Sequence, residues 1–263
     1  MTARHPAVAA LAAAMICLGI LGLANGDFAL VWQPVPAWVP LREGLAYGVG
    51  AVSLAAGLGL LSPRTAGPAA GVALGYFFLW WLLLRVPAFV LSPLAAAGGL
   101  AENTVALSGA LALYAALHPG PGRIDFLHGP RGIRLARIVL GLGLIGCGEA
   151  HFYNLKATAG FVPAWIPGHL AWAVATGSGY LAAAAAILLA VCPRLAATGV
   201  TAMMASFTVL IWLVDVVRGP RDRFHLTALT VSWMLTAAAW IVAGSYRGAG
   251  WLARREEPSA ELA

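Results

Sequence analysis

The chain has 263 residues, of which 61% are hydrophobic and only 10% are charged. A soluble globular domain carries about 25% charged residues, so this composition excludes an ordinary soluble protein and indicates a surface covered by lipid. The net charge of +6 does not indicate nucleic-acid binding, because the arginines lie in short segments between apolar runs and form no basic stripe.

Eight apolar runs follow one another along the chain, each near the roughly 20 residues that a helix needs to cross a bilayer. Backbone groups inside lipid need internal partners, so we predict an all-α integral membrane protein. The predicted transmembrane helices cover residues 7–24, 41–61, 66–86, 95–117, 133–152, 168–191, 195–217 and 225–244.

The first apolar run follows Arg4 and has the general form of a signal peptide. Its equivalent at residues 133–148 lies in the middle of the chain and cannot be a cleaved leader. We therefore predict that the first helix is retained.

The second half of the chain repeats the first. Residues 18–28 correspond to 142–152, residues 36–40 to 163–167, and residues 63–64 to 193–194. The repeat predicts two tandem four-helix bundles, at 1–118 and 133–245, with an inner-face linker at 119–132 and a polar tail at 246–263. Glycines inside the predicted helices, such as Gly19, Gly57 and Gly143, predict close helix packing.

The basic residues predict the orientation. If the N-terminus is inside, ten of the sixteen Lys and Arg residues fall on the inner side and six on the outer side. Positive charge favours the cytoplasmic side. We therefore predict that both termini are cytoplasmic and that the two copies run in the same direction.

A Pro-Ala-Trp-[Val/Ile]-Pro segment lies between the first and second helices of each copy, on the predicted outer face. Two prolines four residues apart prevent a regular helix. Trp38 and Trp165 are expected at the headgroup level. The segment is either a structural corner that begins the next helix or a lid over a cavity open to the membrane surface.

Ionisable side chains are costly in a bilayer, so they usually face the bundle interior, pair with each other or mark a site. The repeat aligns Asp27 with His151 and Arg85 with Asp215. Four candidates would handle protons or an anionic substrate near the outer face, namely Glu149, His151, Asp215 and Arg85. Candidates for substrate contact are Asp27, Trp38, Trp165 and His169. Glu149 and His151 are two residues apart and cannot share a helix face, which excludes the ExxH pattern of di-iron bundles.

Metal and thiol chemistry have weaker support. His151, His169 and His225 lie on one predicted side, so a zinc-type site is an alternative, but hydrated interfacial histidines are the simpler interpretation and we assign no metal. Cys17, Cys147 and Cys192 form no CxxC pair and are expected to be buried apolar side chains.

Two further groups leave alternatives open. The aromatics at 76–81, or Phe207 with Trp212, either line a quinone slot or pack the bundle. The arginines at 123, 131, 134 and 137 either anchor the inner face to lipid or dock a soluble partner, in which case Arg131 and Arg134 would make the contact.

Several motifs of the second half resemble the DoxX family of small bacterial four-helix membrane proteins. They are residues 146–152, Phe161-Val-Pro-Ala-Trp-Ile-Pro167, Gly177-Ser-Gly-Tyr180 and Cys192-Pro-Arg194. The first half resembles the family more weakly, through Val35-Pro-Ala-Trp-Val-Pro40 and Pro63-Arg64, and the resemblance covers roughly residues 14–245.

This resemblance implies a redox-linked protein of the bacterial plasma membrane. Some members of the family resemble or form subunits of thiosulfate:quinone oxidoreductases, and others associate with partners in oxidative-stress defence. The first hypothesis is therefore a membrane subunit of a quinone-linked oxidoreductase, with quinone as its cofactor. A non-catalytic anchor or assembly factor is the alternative. A small-molecule transporter is third, because many transporters have inverted repeats and these copies are parallel.

Overall fold

A computed structural model describes residues 5–120, 122 and 124–253. Several residues of the predicted inner side, Arg4, Arg123, Arg254 and Arg255, lie outside the described residues, as does the rest of the tail from 256 to 263.

Eight long helices make up most of the described chain, and each matches a helix predicted from the sequence. They are α1 Pro6–Asn25, α2 Arg42–Leu60, α3 Ala66–Leu91, α4 Pro93–Leu117, α5 Gly129–Tyr153, α6 His169–Leu188, α7 Pro193–Arg218 and α8 Arg223–Gly244. A 3₁₀ turn, Asp125–Leu127, lies in the linker, and a six-residue helix, Leu155–Gly160, follows α5.

Equivalent backbone features recur in the two copies. The residue before α2, Leu41, and the residue before α6, Gly168, both have left-handed conformations, with φ of 55° and 74°. The third helix of each copy contains a π-helical turn, Trp81–Arg85 in α3 and Thr208–Leu213 in α7. Such turns widen the helix locally and are frequent at functional sites.

Seven of these helices are long and apolar enough to cross a membrane, so the chain has the composition of a multi-pass membrane protein. The exception is α5, although it has 25 residues. It begins with Arg131, Arg134 and Arg137 and carries Glu149 and His151 near its end. By length and composition, seven helices of the described residues could cross a membrane, whereas the sequence predicted eight.

Helices that follow one another within a copy pack together, but the copies are also joined closely. α5 lies antiparallel along α4, with Gly132 against Ala115 near one end, Gly143 against Val105 in the middle, and Gly98 against Ala150 near the other. α8 packs on both α1 and α4.

The copies therefore share one hydrophobic core, and the predicted four-helix bundles do not form separate cores. α4 lies at the centre, and 67% of its apolar 18-residue stretch is buried. α3 and α7 lie at the edge, and 17% of the corresponding stretch is buried in each.

The two ends of this body are distinct. At one end, which we call the terminal face, His5 contacts Arg247 after α8, and Cys192 before α7 donates its N–H to Ala253. At the other end, the loop face, Arg223 of α8 reaches the loop between α1 and α2. Charged groups are found at both ends and at a few interior positions.

Candidate functional site

The loop between α1 and α2 is held by a carboxylate that joins the two copies. Asp27 accepts hydrogen bonds from Arg42 of its own copy and from Arg223 of the second copy, the latter at 3.0 Å. Arg223 also donates to the carbonyl of Phe28. Partial burial raises the pKa of Asp27, but the hydrogen bonds from Arg223, the Phe28 N–H and Arg42 outweigh it and lower the pKa below its usual range.

This loop turns inward and delivers two polar side chains to the core. Trp32 is 2% exposed and Gln33 is 6% exposed. The Gln33 amide donates to the hydroxyl of Tyr76 on α3 at 2.7 Å and accepts the N–H of Ala29 at 2.9 Å. The loop therefore closes the first copy from the loop face.

Arg85, at the end of the α3 π turn, lies beneath this loop and is buried. Its guanidinium donates to the carbonyls of Val31 and Trp32, both at 2.7 Å, and lies 5.9 Å from the Trp32 ring centroid. It occupies the space that a side chain at Gly99 of α4 would need. The absence of a side chain at Gly99 thus allows an arginine to reach the interior.

Glu102 of α4 is a half-buried carboxylate well inside the helix. It lies within electrostatic range of Arg85 on α3 and of Cys147 and Tyr180 on α5 and α6. Nine residues separate it from the start of α4, which places it about 14 Å along the helix. A carboxyl group at this depth is costly unless a partner or a function retains it.

His151 extends this arrangement into the second copy. Its ring is 5.1 Å from that of Tyr180 and 6.2 Å from that of Phe207, and its Nδ1 is 2.8 Å from the carbonyl of Cys147. In the neutral ring, a proton on Nδ1 donates to this carbonyl and leaves Nε2 as an acceptor. Arg85 and Tyr180 are buried, and Glu102 and His151 are half-buried. We call this set of four the buried polar chain.

Five buried side-chain atoms of the described residues have no hydrogen-bond partner within the protein, and they come from four residues. These atoms are Trp32 Nε1, Arg85 Nε, both amide atoms of Asn103, and Thr227 Oγ1. Asn103 is one helical turn beyond Gly99, on the face of α4 that Arg85 contacts. Buried polar atoms usually have partners, so these groups are the exceptions among the described residues.

Asp215 is separate from the buried polar chain. Its carboxylate lies 3.5 Å from Nε2 of His225, whose Nδ1 lies 2.7 Å from Asp222. Asp222 also caps α8 by accepting the N–H of His225, and its hydrogen bonds to the backbone and ring of His225 lower its pKa. Asp215 therefore belongs to a carboxylate–histidine group at the loop face.

Of the four candidates for proton handling, the structure places Arg85 and His151 at opposite ends of the buried polar chain. Glu149 is exposed, so it and His151 face different directions, as their spacing predicted. The four residues do not form a single cluster. Arg85 and Asp215 lie apart because they occupy equivalent positions in two different helices, α3 and α7.

The candidates for substrate contact are distributed along the loop face. Trp38 and Trp165 are 81% and 65% exposed and lie in loops without regular helix, as the paired prolines predicted. His169 is half-buried at the first residue of α6. Only Asp27 takes part in a polar network, and that network is structural.

The arginines at the start of α5 have different surroundings. Arg131 pairs with Asp125, and both side chains are more than half exposed. Arg134 is exposed and, with Arg131 and His128, lines a surface cavity of about 360 Å³. Arg137 instead turns inward, donates to Ser245 and stacks on Tyr246 at 3.8 Å. Arg123 lies outside the described residues.

The cysteines are free thiols in three environments. Cys147 is buried, Cys192 is intermediate, and Cys17 is exposed on α1, so the expectation that Cys17 is buried was wrong. Among residues 5–120, 122 and 124–253, no group of three or more His, Cys, Asp or Glu side chains is arranged to hold a metal ion.

The sequence candidates did not include Tyr180, Trp32 or Gln33. Glu102 is visible in the sequence as an acidic residue well inside an apolar run, but it was not among the chosen site residues. Trp32 and Gln33 carry no signal of their own, since only the folded loop brings them inward, and Tyr180 lies in the middle of α6, where an aromatic residue is common.

Comparisons with known proteins found no matching family model, no matching curated protein and no matching solved structure.

Proposed function

We propose that the chain is a bacterial inner-membrane protein built from two fused DoxX-like modules, crossing the bilayer eight times with both ends in the cytoplasm. The contact between His5 and Arg247 supports an even number of crossings, because it brings the two ends of the described chain to one face. The antiparallel packing of α5 along the length of α4 supports α5 as the eighth crossing.

We further propose that this protein is the membrane subunit of a quinone-linked redox complex. The observation that supports the proposal is Glu102, a half-buried carboxyl group well inside a helix that could span the membrane, within electrostatic range of Arg85 and Tyr180. Intramembrane ionisable groups are retained where protons or charged groups must be handled. Quinone reduction takes up protons, so a quinone site needs such groups beside it.

The aromatic surroundings of His151 provide the position for the quinone head group. Tyr180 and Phe207 lie close to the imidazole, and aromatic rings favour stacked or edge-on contacts with one another. A quinone ring has the same flat shape. In this proposal His151 exchanges a proton with the quinone oxygen, and Glu102 supplies or receives it through the interior.

The test is the quinone content and quinone binding of the purified protein. Organic extraction should recover about one quinone per chain, and added decylubiquinone should quench tryptophan fluorescence. Glu102→Gln and His151→Ala should both lose at least about tenfold in quinone affinity. Glu43→Gln, an exposed carboxylate at the start of α2, is the matched control and should bind quinone normally.

The proposal fails if the wild-type protein binds no quinone, or if Glu102→Gln and His151→Ala bind it as well as the control. Both variants must first give the wild-type elution volume and helical content. If His151→Ala does not fold, His151→Gln takes its place, because glutamine keeps a polar side chain of similar size at this position.

A second candidate is a non-catalytic anchor for a soluble partner, and the exposed Arg131 and Arg134 beside a surface cavity favour it. Co-purification of tagged protein from its own cells tests it. The anchor hypothesis expects an acidic soluble protein to be retained by wild-type protein and released by Arg131→Ala with Arg134→Ala. Retention by this double variant would exclude these arginines as the contact.

A further inference from the structure

A cleft of about 420 Å³ opens between α7 and α8 at the terminal face. This volume lies within the range of about 300–1,000 Å³ that is typical of small-molecule sites. The cleft is separate from the buried polar chain and from the Arg131 surface. Among the residues up to 253 that the structure describes, its lining includes no Asp or Glu, and the charged side chains that line it are Arg194 and Arg247.

Both arginines are held in place at the mouth of the cleft. Arg194 donates to the carbonyl of Ala249 at 2.9 Å and lies 4.1 Å from the centroid of the Trp251 ring. The guanidinium of Arg247 is hydrogen-bonded to the ring of His5, the residue before α1. A guanidinium has five N–H donors, so each arginine keeps donors for a further acceptor. The mouth is therefore a fixed, doubly positive site.

Away from the arginines the cleft is lined by small side chains. Five residues of α7 line its side, from Arg194 to Ala205, and the eleven residue steps between these two span about 16 Å. Ala202 and Ala205 form the α7 side of the cleft farthest from Arg194. The hydroxyls of Thr201 and Thr236 donate to carbonyls of their own helices, at 2.7 and 2.9 Å, so they do not need an external partner.

Tryptophans mark the level of the membrane interface beside the mouth. Trp240 and Trp251 both line the cleft and are 39% and 49% exposed. Tryptophan is enriched where headgroups meet the hydrocarbon core. The order of cations, aromatic rings and small apolar side chains follows the order of groups in a phospholipid, from phosphate to acyl chain.

We propose that this cleft binds an anionic phospholipid, with its phosphate between Arg194 and Arg247 and one acyl chain along Ala202 and Ala205. The same mouth would attract a free phosphate, but the length of about 16 Å along α7, lined beyond the arginine by small side chains, favours a lipid. This inference is independent of any quinone chemistry.

Native mass spectrometry of the full chain in detergent tests the proposal, with dioleoyl phosphatidylglycerol and dioleoyl phosphatidylcholine as probes. Phosphatidylglycerol should bind at least about tenfold more tightly. Each arginine near a membrane surface contributes about fivefold in affinity for an anionic lipid, so Arg194→Gln with Arg247→Gln should lose about 25-fold. Arg64→Gln is the matched control, because Arg64 is exposed and holds the repeat position equivalent to Arg194.

Two further measurements distinguish a lipid from a free anion. Dihexanoyl phosphatidylglycerol should bind more weakly than the dioleoyl lipid, and Ala205→Leu, which narrows the cleft at the end farthest from Arg194, should weaken only the long-chain lipid. Millimolar inorganic phosphate should not displace the dioleoyl lipid.

The proposal is overturned if phosphatidylcholine binds equally well, if the double arginine variant binds like the Arg64→Gln control, or if inorganic phosphate displaces the lipid. Variants are compared only when they elute like wild-type protein. If the double variant is unfolded, Arg194→Lys with Arg247→Lys and the chain-length series take its place, with the same criteria.

Discussion

At the scale of single residues, the charges inside this protein are controlled by groups that are distant in sequence. Arg85 is buried, yet it has two carbonyl acceptors from the α1–α2 loop and an electrostatic partner in Glu102. Asp27 forms ion pairs with Arg42 of its own copy and with Arg223 of the other copy. Each charge is thus compensated by at least two different segments, which explains how it can be tolerated beside lipid.

Removal of Arg85 should be strongly destabilising. Arg85→Gln removes a buried donor from two carbonyls and a positive charge within electrostatic range of Glu102, so we expect a loss of about 1.5–3 kcal/mol in the free energy of unfolding. The double variant Arg85→Gln with Glu102→Gln should recover part of that loss. Denaturant unfolding in detergent, arranged as a double-mutant cycle, measures the coupling. Strict additivity would show that the two side chains do not interact.

The Asp27 bridge should make stability depend on pH in a defined direction. Since its pKa is lowered in the folded protein, the contribution is complete above the unfolded value near 3.9 and is lost as pH falls through the folded value. Asp27→Asn should cost about 1 kcal/mol at pH 6, a modest figure because the carboxylate is 26% exposed. The difference from wild-type protein should shrink at pH 3.

The control for Asp27 is Asp125→Asn. Asp125 also pairs with an arginine, Arg131, but both side chains are largely exposed, and solvent screening should leave the melting temperature almost unchanged at either pH. If the two variants behave alike, the bridge between copies contributes no more than a surface ion pair.

At the scale of helices, the third helix of each copy is the element with a shared irregularity. The first residue of the α3 π turn, Trp81, donates to Thr104 of α4 at 3.0 Å. The first residue of the α7 π turn, Thr208, is 2.9 and 3.0 Å from Ser232 and Thr236 of α8. Each π turn is thus hydrogen-bonded to the fourth helix of its copy. In the first copy the same turn ends at Arg85, which it directs inward.

The crossing of α4 and α8 depends on a glycine. A methyl group on Gly109 would lie 2.5 Å from the Cβ of Ala238 and 2.9 Å from its carbonyl oxygen. Gly109→Ala should therefore push the copies apart and lower the free energy of unfolding by about 1–3 kcal/mol. Gly75→Ala in α3 is the control, since no atom lies within 4 Å of the added methyl. Equal melting temperatures for the two variants would contradict close packing at this crossing.

At the scale of the whole molecule, two repeated units form one body. The pairs α4–α5 and α1–α8 are equivalent under the repeat, and α4 and α8 also pack on each other. The two repeated segments therefore pack on each other in the way that two subunits of a symmetric dimer do. The groups within electrostatic range of Glu102 come from both halves of the chain, with Arg85 on α3 and Tyr180 on α6.

The number of crossings can be measured on either side of α5. In a cysteine-free background, Gly120→Cys and Gly160→Cys place one thiol before α5 and one after it. If α5 crosses the membrane, an impermeant maleimide added to intact cells should label only the cysteine at 160. Labelling of both cysteines or of neither would mean that α5 does not cross the membrane. The second copy would then cross three times and the first copy four times.

The sequence alone determined the class and the elements of this protein. Apolar length predicted the eight helices, because backbone groups in lipid have no alternative partners, and the spacing of Glu149 and His151 was enough to separate them on the helix surface. Matched prolines predicted the irregular loops with exposed Trp38 and Trp165. These features depend on local chemistry and on periodicity, both of which a sequence displays directly.

Only the tertiary structure decided which charged groups meet. The repeat aligned Arg85 with Asp215, but alignment relates equivalent positions in different copies and says nothing about contact. Glu102 comes within electrostatic range of Arg85 and Tyr180 because α4 lies at the centre, and Trp32 is buried because its loop folds inward. Such contacts depend on how helices pack, and packing in lipid is determined by shape at close approach, which apolar composition does not encode.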